Sequence, residues 1–229
     1  MMRDRAGRRG AGAVVSAALA VAMMLAACGS VPQERFYSLS NGLGVGAPGG
    51  AGIAGSAARG DAAAGAARTT LAAPAYYIEI PAVTVPKQVA RNQLVVTTGA
   101  GRVDLLEQER WSAPPAAEIG QALSLTISGE LGTIDAFRSP VPEKSPVYRI
   151  STNVQRFESA PGQYALIDAV WSVRLVGSTQ VLTCRSVAQE TVGAGYDELV
   201  AGHRRAITRI GADISKAVRA LAAGGSASC

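Results

Sequence analysis

Few residues in this 229-residue chain carry the chemistry of a reactive site. There is one histidine, His203, and there are three cysteines, Cys28, Cys184 and Cys229, so no site that needs two imidazoles can be built. One imidazole and scattered thiols make no metal-ligand cluster, and neither a metal nor a cofactor is expected. Carboxylates are present, among them Asp104, Glu107, Glu109, Asp168 and Glu190. Nothing in their spacing singles out the pair that general acid–base work requires, so no enzyme activity is expected. His203 lies between Leu199 and Ile207 on an apolar helical stripe. That position reads as a packed, hydrogen-bonded or rim histidine, not a pH sensor or a member of a triad.

Cys28 is different, because its neighbours give its thiol a task. Residues 1–27 read as a leader: a basic stretch from Met1 to Gly10, then an apolar run from Ala11 to Ala27 broken only by Gly12 and Ser16. The run is too short to be a secure membrane span. It ends in Leu25-Ala26-Ala27-Cys28, followed by Gly29 and Ser30, an order that resembles a bacterial lipoprotein box. The small Ala27 suits cleavage, and the Cys28 thiol would become the thioether that carries diacylglycerol. The bland alternative is an ordinary signal peptide with a chance cysteine after its cleavage site. A single acyl chain holds a membrane only marginally, whereas a triacylated terminus is held durably. Gly29 and Ser30, with no acidic residue behind the cysteine, resemble the context that passes lipoproteins to the outer membrane of a Gram-negative cell.

Export would place the chain where disulfides are permitted. Cys184 and Cys229 are then the two left to pair. The sequence favours a small buried thiol at Cys184 and a frayed Cys229, because Gly224, Gly225 and Ser226 make the intervening tail mobile.

The formal net charge of +5 invites a nucleic-acid partner, but its placement withdraws the invitation. Residues 1–27 carry Arg3, Arg5, Arg8 and Arg9 against Asp4, and the remainder is close to neutral. Aromatic residues are 5% of the chain, too few for base-stacking platforms, so no nucleic acid is expected.

The elements that would carry these residues begin with Phe36-Tyr37-Ser38-Leu39, a short alternating piece. From Gly42 to Ala67, 9 glycines and 10 alanines replace almost every bulky side chain. The stretch from Gly42 to Ala73 therefore reads as a flexible linker, with an r.m.s. span of about 30 Å and a stretched limit of about 110 Å. Its glycines lack the context of a phosphate-binding loop. Tyr76–Ile80 and Val83–Val85 predict an interrupted strand marked by Pro81 and Pro86. Gln93–Thr98 and Val103–Leu106 flank Gly99-Ala100-Gly101 as a hairpin.

Pro114-Pro115 opens a helix with Ile119, Leu123, Ile127 and Leu131 on one face. In Val147–Phe157, Tyr148, Ile150 and Val154 share a face. In Tyr164–Leu175 the set Ala165, Ile167, Ala169, Trp171, Val173 and Leu175 opposes Asp168, Ser172 and Arg174, so the latter should face solvent. Gln180–Glu190 has ambiguous facing. Tyr196–Ala223 is a helix with Leu199, His203, Ala206, Ile207, Ile210, Ile214, Ala217 and Leu221 as its apolar stripe. The fold class that follows is α/β, with a mixed, largely antiparallel sheet packed with two main helices. The expected organisation is a signal peptide over 1–27 and a lipidated N-terminus, short strand and linker over 28–73. A folded domain over 74–223 and a flexible tail over 224–229 complete it.

The order of these motifs resembles the ABC-type transport auxiliary lipoproteins of the paraquat-inducible protein C type. The resemblance rests on Phe36-Tyr37-Ser38-Leu39, on Val85-Pro86 followed by Arg91-Asn92-Gln93-Leu94-Val95, on Arg110-Trp111 with Pro114, and on a closing helix near Tyr196. Pro115 departs from the family, which usually places Leu there. The family implies a lipoprotein anchored in the outer membrane and facing the periplasm. Its partners would be an ABC permease and ATPase system and a protein with mammalian-cell-entry (MCE) domains, moving lipids or hydrophobic compounds between membranes. Some members form rings, so a homo-oligomer is also implied. The rival class is a structural plug or chaperone of outer-membrane or lipopolysaccharide assembly.

Apart from Cys28, four residues are candidates for partner contact. Arg91 and Gln93 stand at the lip of a strand, where turn capping is the competing role. Arg110 with Trp111 would form a cation–π or docking element, against the alternative that Trp111 fills the junction of helix and sheet. Arg204, Arg205 and Arg209 could meet anionic headgroups but read more simply as a solvated helix face.

Overall fold

The computed structural model describes residues 32–43 and 73–229, and within them side-chain alternation and a few turn residues organise seven strands and two α-helices. The leader, Cys28 and most of the Gly/Ala stretch fall outside the described residues.

Three strands form one sheet in the order β1 (Arg35–Tyr37), β4 (Arg102–Trp111), β3 (Gln93–Gly99). Strands β3 and β4 are the predicted hairpin, closed by Gly101 at φ 72°, a conformation that suits a residue without Cβ. Strand β1 lies parallel to β4 on its other side. The second sheet runs β2 (Tyr77–Glu79), β5 (Val147–Ala160), β6 (Tyr164–Leu175), β7 (Leu182–Thr191). The segment expected as strand at Val83–Val85 contributes a single bridge, Thr84 to Asn153.

Strand β5 turns Tyr148, Ile150, Thr152 and Val154 inward. A bulge between Val154 and Arg156 then shifts the phase, and Phe157 and Ser159 take over the buried face. Strand β6 buries Ala165, Ile167, Ala169, Trp171 and Val173 as expected. Leu175 does not follow them: it is exposed, because pairing with β7 stops at Val173–Leu182 and the strand end outruns its cover. Asp168 corrects the expectation in the opposite sense. It lies on the outward face yet is buried, because Arg185 folds over it with Nε–Oδ1 2.8 Å and Nη2–Oδ2 2.6 Å. The ambiguous stretch after β6 is resolved as an alternating strand, with Cys184, Ser186 and Ala188 inward.

Helix α1 (Pro115–Leu131) starts on its proline and ends at Gly132, which takes the left-handed conformation at φ 61°. Helix α2 (Tyr196–Ala222) has Asp197 and Glu198 in its first turn and Arg219 in its last, the charge order the helix dipole favours. Its stripe from Leu199 to Ala217 is buried against β6, β7 and α1. The two helices come close at Gly211, where a Cβ would stand 2.7 Å from Thr126 Cγ2. Trp111, Phe157, Ile207 and Leu39 belong to the same core.

Cys184 and Cys229 form a disulfide, with Cα atoms 5.5 Å apart. This corrects the expectation of two unpaired thiols and of a loose tail over 224–229. Gly224, at φ 72°, lets the chain reverse at the end of α2 and return to β7. The glycines that suggested mobility provide the turn.

Candidate functional site

The residues of the first strand are built into the body of the protein. Strand β1 pairs with β4 as Arg35–Glu109, Phe36–Arg110 and Tyr37–Trp111, and Ser112 N–H donates to Tyr37 O at 2.7 Å. The Tyr37 hydroxyl donates to Glu109 Oε2 at 2.6 Å. Burial, and then the Glu109 carboxylate beside it, push that hydroxyl up to about 12. Arg35 reaches Glu109 from outside at 3.5 Å, and Arg110 Nη2 reaches Glu34 at 3.2 Å.

Beyond β1 the chain plunges into the core. Leu39 is 0% exposed, and full burial of such a side chain is worth about 1.5–3 kcal/mol. Its backbone N–H donates to Glu118 Oε2 at 2.7 Å, and the hydroxyls of Ser38 and Ser112 donate to the same carboxylate. Glu118 is buried in the first turn of α1, where the helix dipole favours a negative charge. From the other side, Arg204 of α2 donates from Nε and Nη2 to Ser38 O. The segment is thus clamped between a buried anion and a partly buried cation.

The four sequence candidates gather at one end of this seam. Gln93 pairs with Arg110 across the hairpin, and Trp111 N–H donates to Asn92 O at 2.6 Å. Arg91 is exposed on the turn before β3, the one of the four that faces solvent openly. Gln93 donates to Glu107, and Arg110 is occupied by Glu34 and the Glu107 carbonyl. Trp111 is 2% exposed, edge-on to Phe157, which makes it a core residue and not a docking element. The arginines of α2 are likewise engaged: Arg205 and Arg209 both pair with Glu190, and Arg204 holds Ser38. They are neither a free lipid-binding cluster nor a merely solvated face.

Glu118 was not named from sequence, and Glu109, Ser38 and Arg204 were named there for other roles than this seam. An acidic residue in the first turn after Pro115 was a local signal for Glu118. No local signal marks Ser38, whose partners lie 80 and 166 residues away.

His203 is packed, as expected. Its ring stacks on Phe157 with centroids 4.1 Å apart, and Nε2 shares a hydrogen bond of 2.8 Å with Ser159 Oγ. Burial lowers its pKa to about 3, so the imidazole is neutral. Among the described residues Nδ1 has no hydrogen-bond partner. Among the described residues no group of acids, thiols and imidazoles could hold a metal ion, and no helix is long and apolar enough to cross a membrane. Two open clefts mark the surface: about 580 Å³ between α1 and Ile80–Val83, and about 510 Å³ between the β6–β7 turn and the disulfide-tied tail.

Comparison with known proteins agrees with this architecture. A crystal structure of an uncharacterized protein superposes with a TM-score of 0.55 at 18% identity, covering 66% of this chain and 96% of that one, which establishes a shared fold. A protein from Xanthomonas campestris of the DUF330 family is more loosely similar, with a TM-score of 0.49 at 15% identity, over 63% of this chain and 85% of that one. A PelC dodecamer from Paraburkholderia phytofirmans gives 0.33 at 13% identity, over 62% and 89%, too loose to bear on assembly. No curated protein matches significantly. The family model described as the ABC-type transport auxiliary lipoprotein component matches residues 61–215, and the chain belongs to that family.

Proposed function

We propose that the protein is a non-catalytic adaptor, acylated at Cys28 and held at the periplasmic face of the outer membrane. There it docks an MCE-domain protein served by an ABC permease and ATPase, so that lipids or other hydrophobic compounds pass between membranes. The observation that carries this reading is the family match, whose description joins a transport system to a lipoprotein. The physical need is plain: each methylene of a lipid exposed to water costs about 0.8 kcal/mol, so passage requires a shielded conduit docked at its far end. A ring of copies around such a conduit belongs to the same proposal.

The seam changes how the anchor is used. A flexible linker between an anchor and a folded domain would let that domain search for a partner. Residues on both sides of the Gly/Ala stretch, Leu39 in the core and β2 on β5, belong to one folded unit, so the stretch leaves and rejoins that unit. The leash from Cys28 is only the few residues before β1.

In intact cells, a photo-crosslinker at the exposed Arg91 should capture an MCE-domain protein. Capture of a β-barrel assembly component instead would overturn the transport reading. Mass spectrometry of the purified protein tests the anchor: diacylglyceryl on Cys28 is expected, and an unmodified terminus rejects it.

A further inference from the structure

We infer that the open edge of strand β7 is a docking site for an extended, acidic segment of another protein, added there as a further strand of the larger sheet. The inference depends neither on Cys28 nor on the transport reading.

The two borders of that sheet are treated unequally. At one border β2 is covered, because Ile78 N–H donates to Ile134 O and Ala136 N–H donates to Ile78 O. Beyond the short β2, strand β5 is met by Thr84, through Thr84 N–H to Thr152 O and Val154 N–H to Thr84 O. At the other border stands β7, with 10 residues and no strand beside it among the described residues. Val192 N–H donates to Gln163 O in continuation of the β6–β7 register. The even-numbered residues of β7 therefore turn their backbone groups to β6, and the odd-numbered ones turn theirs outward.

Two outward positions are closed. Thr191 O accepts from Arg205 Nη2 at 3.0 Å, and Cys229 Sγ lies 3.4 Å from Thr183 O. Between them, the N–H and C=O groups of Arg185, Val187 and Gln189 have no partner among the described residues. Folded proteins usually blunt an edge of this kind. Here three donors alternate with three acceptors along about 14 Å of strand. Another peptide main chain carries both kinds of group at that repeat, whereas a phosphate only accepts and would leave the carbonyls bare.

The side chains decide which strand fits. Val187, at the centre, is 54% exposed on the face away from α2. On the α2 side, Arg205 and Arg209 share the Glu190 carboxylate, and they are far more exposed than it is, 47% and 66% against 16%. Lys216 is exposed on the same helical face, one turn beyond Asp213, which accepts from Ser186 Oγ at 2.7 Å. Arg185 covers the buried Asp168. The edge thus shows mainly its cations. A second β7 laid antiparallel on it would bring its own α2 to the same side of the sheet and set these cations against their copies. An acidic strand meets them with opposite charge.

The test titrates the full mature protein into a fluorescein-labelled peptide of alternating valine and glutamate and follows anisotropy. Saturable binding is expected, and the same peptide with lysine for glutamate should bind at least about tenfold more weakly. In two further peptides, either the valine or the glutamate nitrogens are methylated. One should bind and the other should not, because only alternate N–H groups of an added strand meet the edge. Val187→Pro removes an outward N–H that the fold does not use, so binding should be lost while the melting temperature is nearly kept. No saturable binding overturns the inference, as does a lysine peptide that binds equally well. Methylated peptides that behave alike also overturn it, and they decide the matter if Val187→Pro fails to fold. A folded Val187→Pro that binds like the parent is equally fatal. So is a dimer by light scattering whose slow exchange at the Arg185 and Gln189 amides quickens on dilution, which would assign the edge to a second copy.

Discussion

Arg204 donates two hydrogen bonds, from Nε at 3.1 Å and Nη2 at 2.6 Å, to the carbonyl oxygen of Ser38, a residue 166 positions earlier in the chain. With Glu118 on the other side of Ser38 and Leu39, this contact makes the segment after the first strand part of the folded body. A lipoprotein whose domain hangs on a long polymer and one whose first strand is locked into the sheet would explore different volumes. The second arrangement is the one observed for the described residues.

Arg204→Ala should release that segment. Hydrogen bonds from a charged donor are worth about 1.5–3 kcal/mol, and a loss near the lower end is expected at this partly exposed site. Hydrogen exchange should accelerate at the Leu39 amide while the β5–β6 amides stay protected. Uniform acceleration through the molecule would contradict a local clamp.

Gly211→Ala should destabilise by about 1–3 kcal/mol, because its Cβ would stand 2.7 Å from Thr126 Cγ2. Adding Thr126→Ala removes the clashing methyl and should restore much of the loss. Thermal melts of the two single variants and the double variant give the coupling directly. Simple additivity would show that the helices do not meet there as described.

The disulfide closes a loop across a sequence separation of 45. Chain-entropy reasoning assigns such a crosslink about 4 kcal/mol as an upper figure, with about 2–4 kcal/mol typical. Cys229→Ser and chemical reduction should lower the melting temperature to the same extent, and reduction should do nothing further to the variant. A melting temperature indifferent to reduction would reject the pairing.

Acid should weaken the fold through His203. Its folded pKa lies near 3, below its ordinary value of 6.5, so the unfolded chain takes up the proton first. Stability is complete above about pH 6.5 and falls as pH drops toward 3, by at most about 1.4 kcal/mol per unit. The Asp168 carboxyl, held below its usual range by Arg185 against its burial, contributes stability that is present above its unfolded value and fades at lower pH. His203→Gln should lower stability at pH 7 but flatten the slope between pH 6.5 and 4. Denaturant midpoints across that range read it, and an unchanged slope would exonerate His203.

Much of the scaffold was readable from local pattern. The β3–β4 hairpin, the inward set of β6 and the stripe of α2 each repeat with the period of their own backbone, so neighbours in sequence suffice to reveal them. Where a side chain's setting depended on a neighbouring strand, the pattern misled. Asp168 alternates outward, as its position demands, but Arg185 of β7 closes over it. Leu175 alternates inward, but β7 has already ended its pairing. Of the candidate contact residues, Trp111 sits in the core and Arg91 faces solvent, a distinction that belonging to the shared motif order does not carry.

By itself the sequence determined most of the elements, the α/β class, the kinship with transport auxiliary lipoproteins and the place of His203 on an apolar helical stripe. Periodicity, turn chemistry and motif order are properties of short stretches, and short stretches fold to them wherever they lie. Tertiary structure alone decided that the first strand belongs to the body, that Cys229 returns to Cys184, and that the Gly/Ala stretch begins and ends on one unit. Each of those facts is a contact between residues tens to more than a hundred positions apart. Such contacts are set by how the finished layers pack, and no local stretch of chain encodes them.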